Sequence, residues 1–229
     1  MRSASLLTGI PPVLAAGVGV KHGWGWVLRA ASFRVDAAIS GQKVIGIAVG
    51  RRAAGSALVN LLAGAVQPAH GELRVLGEDL TTQRGRAAVR PRIGVARRVP
   101  RPQPAFRVRG VVEHAARLAG MPWSDRDALT AAILDRLGLV PWARVPVHAA
   151  PQVIGRRVRL AAAAVHEPDL LLLDGLLDDL PPRDVVSLAD GIRDLAGDTA
   201  VIATGSDASV LRAACGEVLV LDNGIIVPN

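Results

Sequence analysis

In 229 residues the chain has one cysteine, no tyrosine, two phenylalanines, four tryptophans and only two lysines. Each scarcity excludes something. A lone Cys215 rules out an internal disulfide and fits a reducing compartment. With aromatics at 3%, no set of side chains is available to stack on bases. Because Lys21 and Lys43 are the only lysines, the net charge of +7 and the pI near 11.2 rest on arginines spread along the chain. Such a balance suits acidic partners in general, but it lacks the clustered stripe of a nucleic-acid binder, so nucleic acid is not expected as a partner. No apolar run reaches the roughly 18–20 residues of a membrane helix. The start, MRSASLLTGIPPVLAAGVGV, has signal-peptide features in Arg2 and Ala15-Ala16-Gly17. Pro11-Pro12 interrupt it and Val13 to Val20 reads as a strand, so the expected location is cytoplasmic.

What the chain does have is core material, 50% hydrophobic residues, enough for one α/β domain with a small insertion. Its organising stretch runs from Lys43 to Gly64. Val44 to Val49 is a short apolar, partly β-branched run that predicts a buried parallel strand. Gly50-Arg51-Arg52-Ala53-Ala54-Gly55 follows as a predicted loop, and Ser56 is expected to open a helix carrying Leu58, Leu61 and Leu62, stopped by Gly64. Strand, glycine loop and helix form a phosphate cradle, in which backbone N–H groups curl round an anion at a helix N-terminus. The working loop reads G-x-x-x-x-G-K-[ST]. Gly50 and Gly55 have its spacing, but no lysine follows. Either Ser56 replaces that lysine, or the lysine is deleted and Ser56 is the metal-side hydroxyl. The downstream helix fits the deletion better.

Upstream, Val13 to Val20 and Val27 to Val35 are predicted strands about a Gly-Trp-Gly turn. Downstream, Glu72 to Leu76 and Ile93 to Ala96 are short strands, with a polar basic stretch between them. Arg97 to Pro104, rich in Arg and Pro, is expected to be rigid and extended and marks a boundary. From Val108 to Gly155 the periodicity is helical, with Ser124 and Asp127 predicted as a capping box and Pro151 in the first turn of a further helix. Leu170 to Leu173 is a four-leucine strand ending at Asp174. Arg183 to Leu195 predicts an amphipathic helix, Ala200 to Thr204 a strand, Ser209 to Ala214 a helix, and Val218 to Val227 a terminal hairpin about Asp222-Asn223-Gly224. Alternating strands and helices predict a mainly parallel sheet with an α-helical insertion.

This order of segments resembles the nucleotide-binding domain of ABC transporters over nearly the whole chain. Leu58 to Leu80 is similar to the helix and strand after that family's phosphate loop, and Ile93 to Arg98 to its glutamine loop. Arg156 to Gly175 resembles its helix and Walker B strand, and Val201 to Val227 its switch region and closing hairpin. The resemblance implies a P-loop NTPase-like α/β fold: a mainly parallel sheet, an antiparallel β subdomain and an inserted helical subdomain. The expected division is 1–99 and 166–229 for the α/β core, and 100–165 for the helical part. It also implies ATP and Mg²⁺ as ligands, a transmembrane permease and a second cassette subunit as partners, and a place at the inner face of the membrane.

Carried over position by position, the family's catalytic set is largely missing. Asp174 keeps the Walker B aspartate, but Gly175 stands at the glutamate that polarises water. Ser206 falls at the switch histidine and Arg98 at the glutamine. Ala150-Pro151-Gln152-Val153-Ile154 occupies the LSGGQ signature without its glycines, and Pro181 the D-loop aspartate. Trp24, near His22, is the candidate adenine platform. The candidate nucleotide-binding residues are Gly50, Arg51, Arg52, Gly55, Ser56, Ala57 and Trp24, and the candidate metal ligands are Ser56 and Asp174. Plainer roles stand beside these. Asp174 is expected foremost as a strand-end carboxylate satisfied by Ser56 or loop amides, Arg51 and Arg52 as solvated charges, and Trp24 as packing. The expectation is a non-hydrolysing structural or regulatory subunit, with ATP and Mg²⁺ binding weakened or absent. Two alternatives are a slow ATPase using Arg51 or Arg52 on phosphate with Asp178 or Asp179 orienting water, and a basic nucleic-acid-binding module.

Overall fold

A computed structural model describes residues 11–22, 25–35, 44–99, 106–222 and 225–228. The chain order is β1 (Val13–His22), β2 (Gly25–Val35), β3 (Val44–Val49), α1 (Arg52–Leu62), β4 (His70–Val75), β5 (Glu78–Asp79), α2 (Gln83–Val89), β6 (Ile93–Arg97), α3 (Val108–Leu118), α4 (Trp123–Arg136), α5 (Gln152–Ala164), β7 (Leu170–Asp174), α6 (Pro182–Leu195), β8 (Ala200–Gly205), α7 (Ala208–Leu211), β9 (Glu217–Asp222) and β10 (Ile225–Pro228). Six strands form one sheet in the order β10-β9-β3-β8-β7-β6, and four form a second in the order β2-β1-β4-β5. In the large sheet β9, β3, β8, β7 and β6 run parallel, and only β10 is antiparallel. The smaller sheet is antiparallel throughout.

The leucine run of β7 shows why its strand has no polar face. Leu171 and Leu173 enter a core with α3, α5 and α6, while Leu170 and Leu172 enter a second core with α1 and the antiparallel sheet. All four are fully buried. β3 divides in the same way, with Val44 and Ala48 on one face and Ile45, Ile47 and Val49 on the other. A parallel strand covered on both sides must read as a continuous apolar run, because successive side chains alternate between the two cores. α5 lies directly on this sheet: a Cβ at Gly94 of β6 would stand 2.1 Å from the Ala163 carbonyl oxygen.

Two local expectations are corrected, and one stretch without an assignment gains a helix. α4 begins at Trp123 behind Pro122, and the Ser124 hydroxyl donates to Asp125 at 2.8 Å instead of capping the helix. The final short helix covers Ala208–Leu211, started by Asp207 accepting from the Ser209 amide. The polar stretch after β5 contains α2, whose Thr82 hydroxyl accepts from the Gly85 amide as an N-cap. Among the described residues, no helix is long and apolar enough to cross a membrane.

Candidate functional site

The carboxyl ends of β3, β8, β7 and β6 lie side by side in the large sheet. In open α/β sheets this edge is where ligand crevices form. The edge encloses a cavity of about 40 Å³ lined by Arg52, Gly55, Ser56, Arg98, Asp174, Gly175 and Asp178. That is room for a few waters.

The connection from β3 to α1 differs from the expected cradle. α1 starts at Arg52, four residues before Ser56, so Gly50 and Arg51 alone separate strand from helix. Ala53 and Ala54 are wound into the helix, as their high propensity favours. Gly55 is a helical residue packed on β8, where a Cβ would come within 3.2 Å of the Thr204 hydroxyl and a Val49 methyl. Its lack of a side chain serves close helix–sheet packing instead of a turn round an anion. Ala57 is half-buried on the same helix, and Gly50 and Arg51 are exposed at its approach. Trp24 and the stretch 36–43 lie outside the described residues, as do residues 100–105.

Ser56 faces Asp174. Its hydroxyl donates to that carboxylate, 2.8 Å from Oδ2 and 3.1 Å from Oδ1. Arg97, at the end of β6, adds a guanidinium 3.2 Å from Asp174 Oδ2 and donates with its other amino group to Asn60 Oδ1 of α1 at 2.6 Å. The pair proposed as metal ligands is therefore joined to itself and to a cation.

Beyond Asp174 the chain turns sharply. Gly175 has φ +60°, its amide donates to the Thr204 carbonyl, and its carbonyl accepts from the Asp178 amide at 3.2 Å. A Cβ there would lie 3.1 Å from Asp178 Oδ2, so the turn suits glycine on both backbone and spatial grounds. Asp178 is buried, and its Oδ1 accepts from the Ser206 amide at 3.0 Å. Ser206 thus meets the site through its backbone, with its residue exposed at the end of β8.

Asp179, also at positive φ (60°), holds the outer rim. Arg52 Nη2 donates to its Oδ1 at 2.8 Å and Arg98 Nη1 to its Oδ2 at 2.7 Å, so one carboxylate joins the start of α1 to the end of β6. Arg52 Nε also lies 4.0 Å from Asp178 Oδ2. The segment carrying both aspartates is held from below by Arg156 of α5. Arg156 is buried, and its guanidinium donates to the carbonyls of Asp178 (3.1 Å) and Gly175 (3.4 Å). Burial, helped by the nearby charges of Arg159 and Arg98, pushes its pKa down to about 10, still charged at neutral pH. At the signature position, Pro151 caps α5, Ile154 is buried, and Gln152 Nε2 donates to the Asp179 carbonyl at 3.3 Å. Pro181 caps α6.

Sequence reasoning brought Ser56, Asp174, Gly175, Arg98 and Arg52 to one site, but it missed Arg97, Asn60 and Arg156. Arg156 carried a signal: an arginine between Ile154 and Val158 falls on the apolar face of its helix. Arg97 and Asn60 carried none, since their partners are 77 and 37 residues away.

Comparison with known proteins agrees with this architecture. The family model described as ABC transporter matches residues 34–177. A curated relative, "Methionine import ATP-binding protein MetN 2" of Burkholderia mallei, is 33% identical over 187 residues, covering 78% of this chain and 46% of its own length. "Methionine import ATP-binding protein MetN" of Xanthomonas axonopodis pv. citri is 34% identical over 204 residues, covering 84% of this chain and 59% of its own length. The chain thus spans about half the length of the curated relatives it matches. A solved structure, cbiO1 from Clostridium perfringens, described as part of the ABC transporter complex cbiONQ, superposes with a TM-score of 0.78 over 95% of this chain and 87% of that one. At 18% identity it speaks for the fold alone. ATP and Mg²⁺ are the ligands that this kinship implies. With a parallel sheet, an antiparallel sheet and inserted helices in that family's order, the chain belongs to the ABC transporter family as a nucleotide-binding domain.

Proposed function

We propose that this chain is a cassette subunit that does not turn over ATP, and that it serves a permease or a second cassette as a structural or regulatory partner. The observation that carries the reading is Gly175, at the position of the water-polarising glutamate, in a turn whose positive φ and close Asp178 carboxylate disfavour any side chain. The donor set is also a poor fit to a hydrated divalent cation. Ser56 and Asp174 bond each other, and Arg97 brings a positive charge to the same carboxylate. A two-residue connection after β3 leaves little backbone to wrap phosphates, and no lysine follows Gly55. Groups of this kind each supply several kcal/mol in phosphoryl transfer, on the order of 3 for one oxyanion donor, so losing them together leaves little turnover. ATP and Mg²⁺ binding are accordingly weakened.

The slow-ATPase alternative is less well supported, because its carboxylates are engaged: Asp178 by the Ser206 amide, and Asp179 by Arg52 and Arg98. By kinship the subunit works peripherally at the cytoplasmic face of a membrane, with the inserted segment 100–165 towards the permease. The test is phosphate release by the purified chain with Mg²⁺, beside calorimetric titration with ATP with and without the metal. Release at the background rate, with ATP affinity indifferent to Mg²⁺, is expected. Brisk magnesium-dependent release would overturn the proposal.

A further inference from the structure

We infer that Asp179 is an intrachain stand-in for an anionic ligand, a latch that closes the mouth of the cleft by neutralising the two arginines a phosphate group would use. The inference rests on the reading above that the phosphate-binding loop is reduced, and it adds what occupies the place.

Three observations carry it. The two oxygens of one carboxylate are divided between guanidiniums from different elements, Arg52 at the start of α1 and Arg98 just beyond β6. Both arginines line the cavity together with Ser56 and Asp174. The latch residue sits at φ 60° and its carbonyl accepts from Gln152, so the main chain that carries the carboxylate is fixed at the rim. Two guanidiniums converging on one small anion is an arrangement equally suited to a phosphate ester or pyrophosphate, since each can present paired N–H donors to oxyanions.

The latch is built to open. Asp179 is about half exposed, as is Arg52, and exposed ion pairs are weak and screened by salt. Opening does not scatter the donors. The Arg52 guanidinium keeps buried Asp178 at 4.0 Å, and the Arg98 main chain, through its amide, stays bonded to the Asp174 carbonyl at 2.9 Å, which fixes the base of that side chain. An incoming anion therefore competes with Asp179 for donors already in place.

The probe is pyrophosphate without metal, titrated by calorimetry at low salt into the full chain and into Asp179→Asn. Asparagine keeps the shape and tolerates positive φ, and Asp179→Gly serves if the first variant folds poorly, as read by its melting curve. The expected result is affinity raised several-fold to about tenfold over the parent, with the gain abolished in the double variant Asp179→Asn, Arg98→Ala. Unchanged or lost affinity on removing the carboxylate overturns the latch, and so does a failure of both parent and variant to bind. This outcome is separate from that of the hydrolysis assay: a chain that releases phosphate briskly ends the non-hydrolysing reading, while the latch is judged only by the difference between parent and Asp179→Asn.

Discussion

The middle of the large sheet and its carboxyl edge are made from the same strands but obey different chemistry. In the middle, Leu170 to Leu173 of β7 and all of β3 are buried between two apolar cores, with no polar side chain to satisfy. A few ångströms along the same strands, the edge collects Arg97, Arg98, Asp174, Asp178, Asp179 and Arg156, each engaged by another group from the same chain. The difference shows that a fold can keep the scaffold of a binding crevice intact while the crevice closes on itself. Core packing needs only volume and apolarity. A catalytic site needs particular groups at particular atoms.

Breaking the middle should cost most. Leu172→Ala removes a fully buried side chain from the second core and is expected to destabilise by about 2–5 kcal/mol. A shift of the urea midpoint at constant slope would show it, and a loss below about 1 kcal/mol would contradict the two-sided burial. Next comes the floor of the edge. Arg156→Ala removes the side-chain donor of the Asp178 carbonyl and one of the two donors of the Gly175 carbonyl, at an expected cost of about 1–3 kcal/mol by the same measurement. Restoring the missing glutamate sharpens the comparison. Gly175→Glu places a side chain at φ +60° against Asp178, so stability should fall by about 1–2 kcal/mol. Phosphate release should stay at background, and recovered turnover would show that glutamate alone was missing.

The smallest effect concerns pH. Burial holds His166 below the ordinary histidine value of 6.5, against a smaller opposing contribution from a hydrogen bond with the Ile93 backbone. The folded state thus favours the neutral ring. Stability from this source is complete above the unfolded value and is lost as pH falls through it towards the lower folded value. His166→Gln should flatten the slope of urea stability between pH 7 and 5, and an unchanged slope would refute the assignment.

The fold was largely legible because its signals are local or periodic. Four consecutive leucines cannot face water, and the run Leu170 to Leu173 could only be a strand covered twice. β9 and β10 pair antiparallel with Ile225 opposite Asp222, the terminal hairpin that the two apolar runs predict, while Asn223 and Gly224 lie outside the described residues. The start of α1 was misread because Gly50 and Gly55 carry a loop's spacing while Ala53 and Ala54 carry a helix's propensity, and the winding won. Ser124 failed as a cap because Pro122, two residues earlier, already turns the chain. The edge was half legible. Ser56 and Asp174 stand at recognisable places, but the links Arg97–Asp174, Arg98–Asp179 and Arg52–Asp179 span 77, 81 and 127 residues, beyond the reach of any local pattern.

Cys215 supplies a use that none of these contacts suggests. Its sulfur would lie 3.1 Å from a Cβ at Gly46 in the middle of β3, and burial lifts its pKa to about 12. As the sole thiol, it makes the wild-type protein its own clock. The rate at which an alkylating reagent reaches it records how often the central strand parts from its covering, with no label to introduce and no second site to subtract.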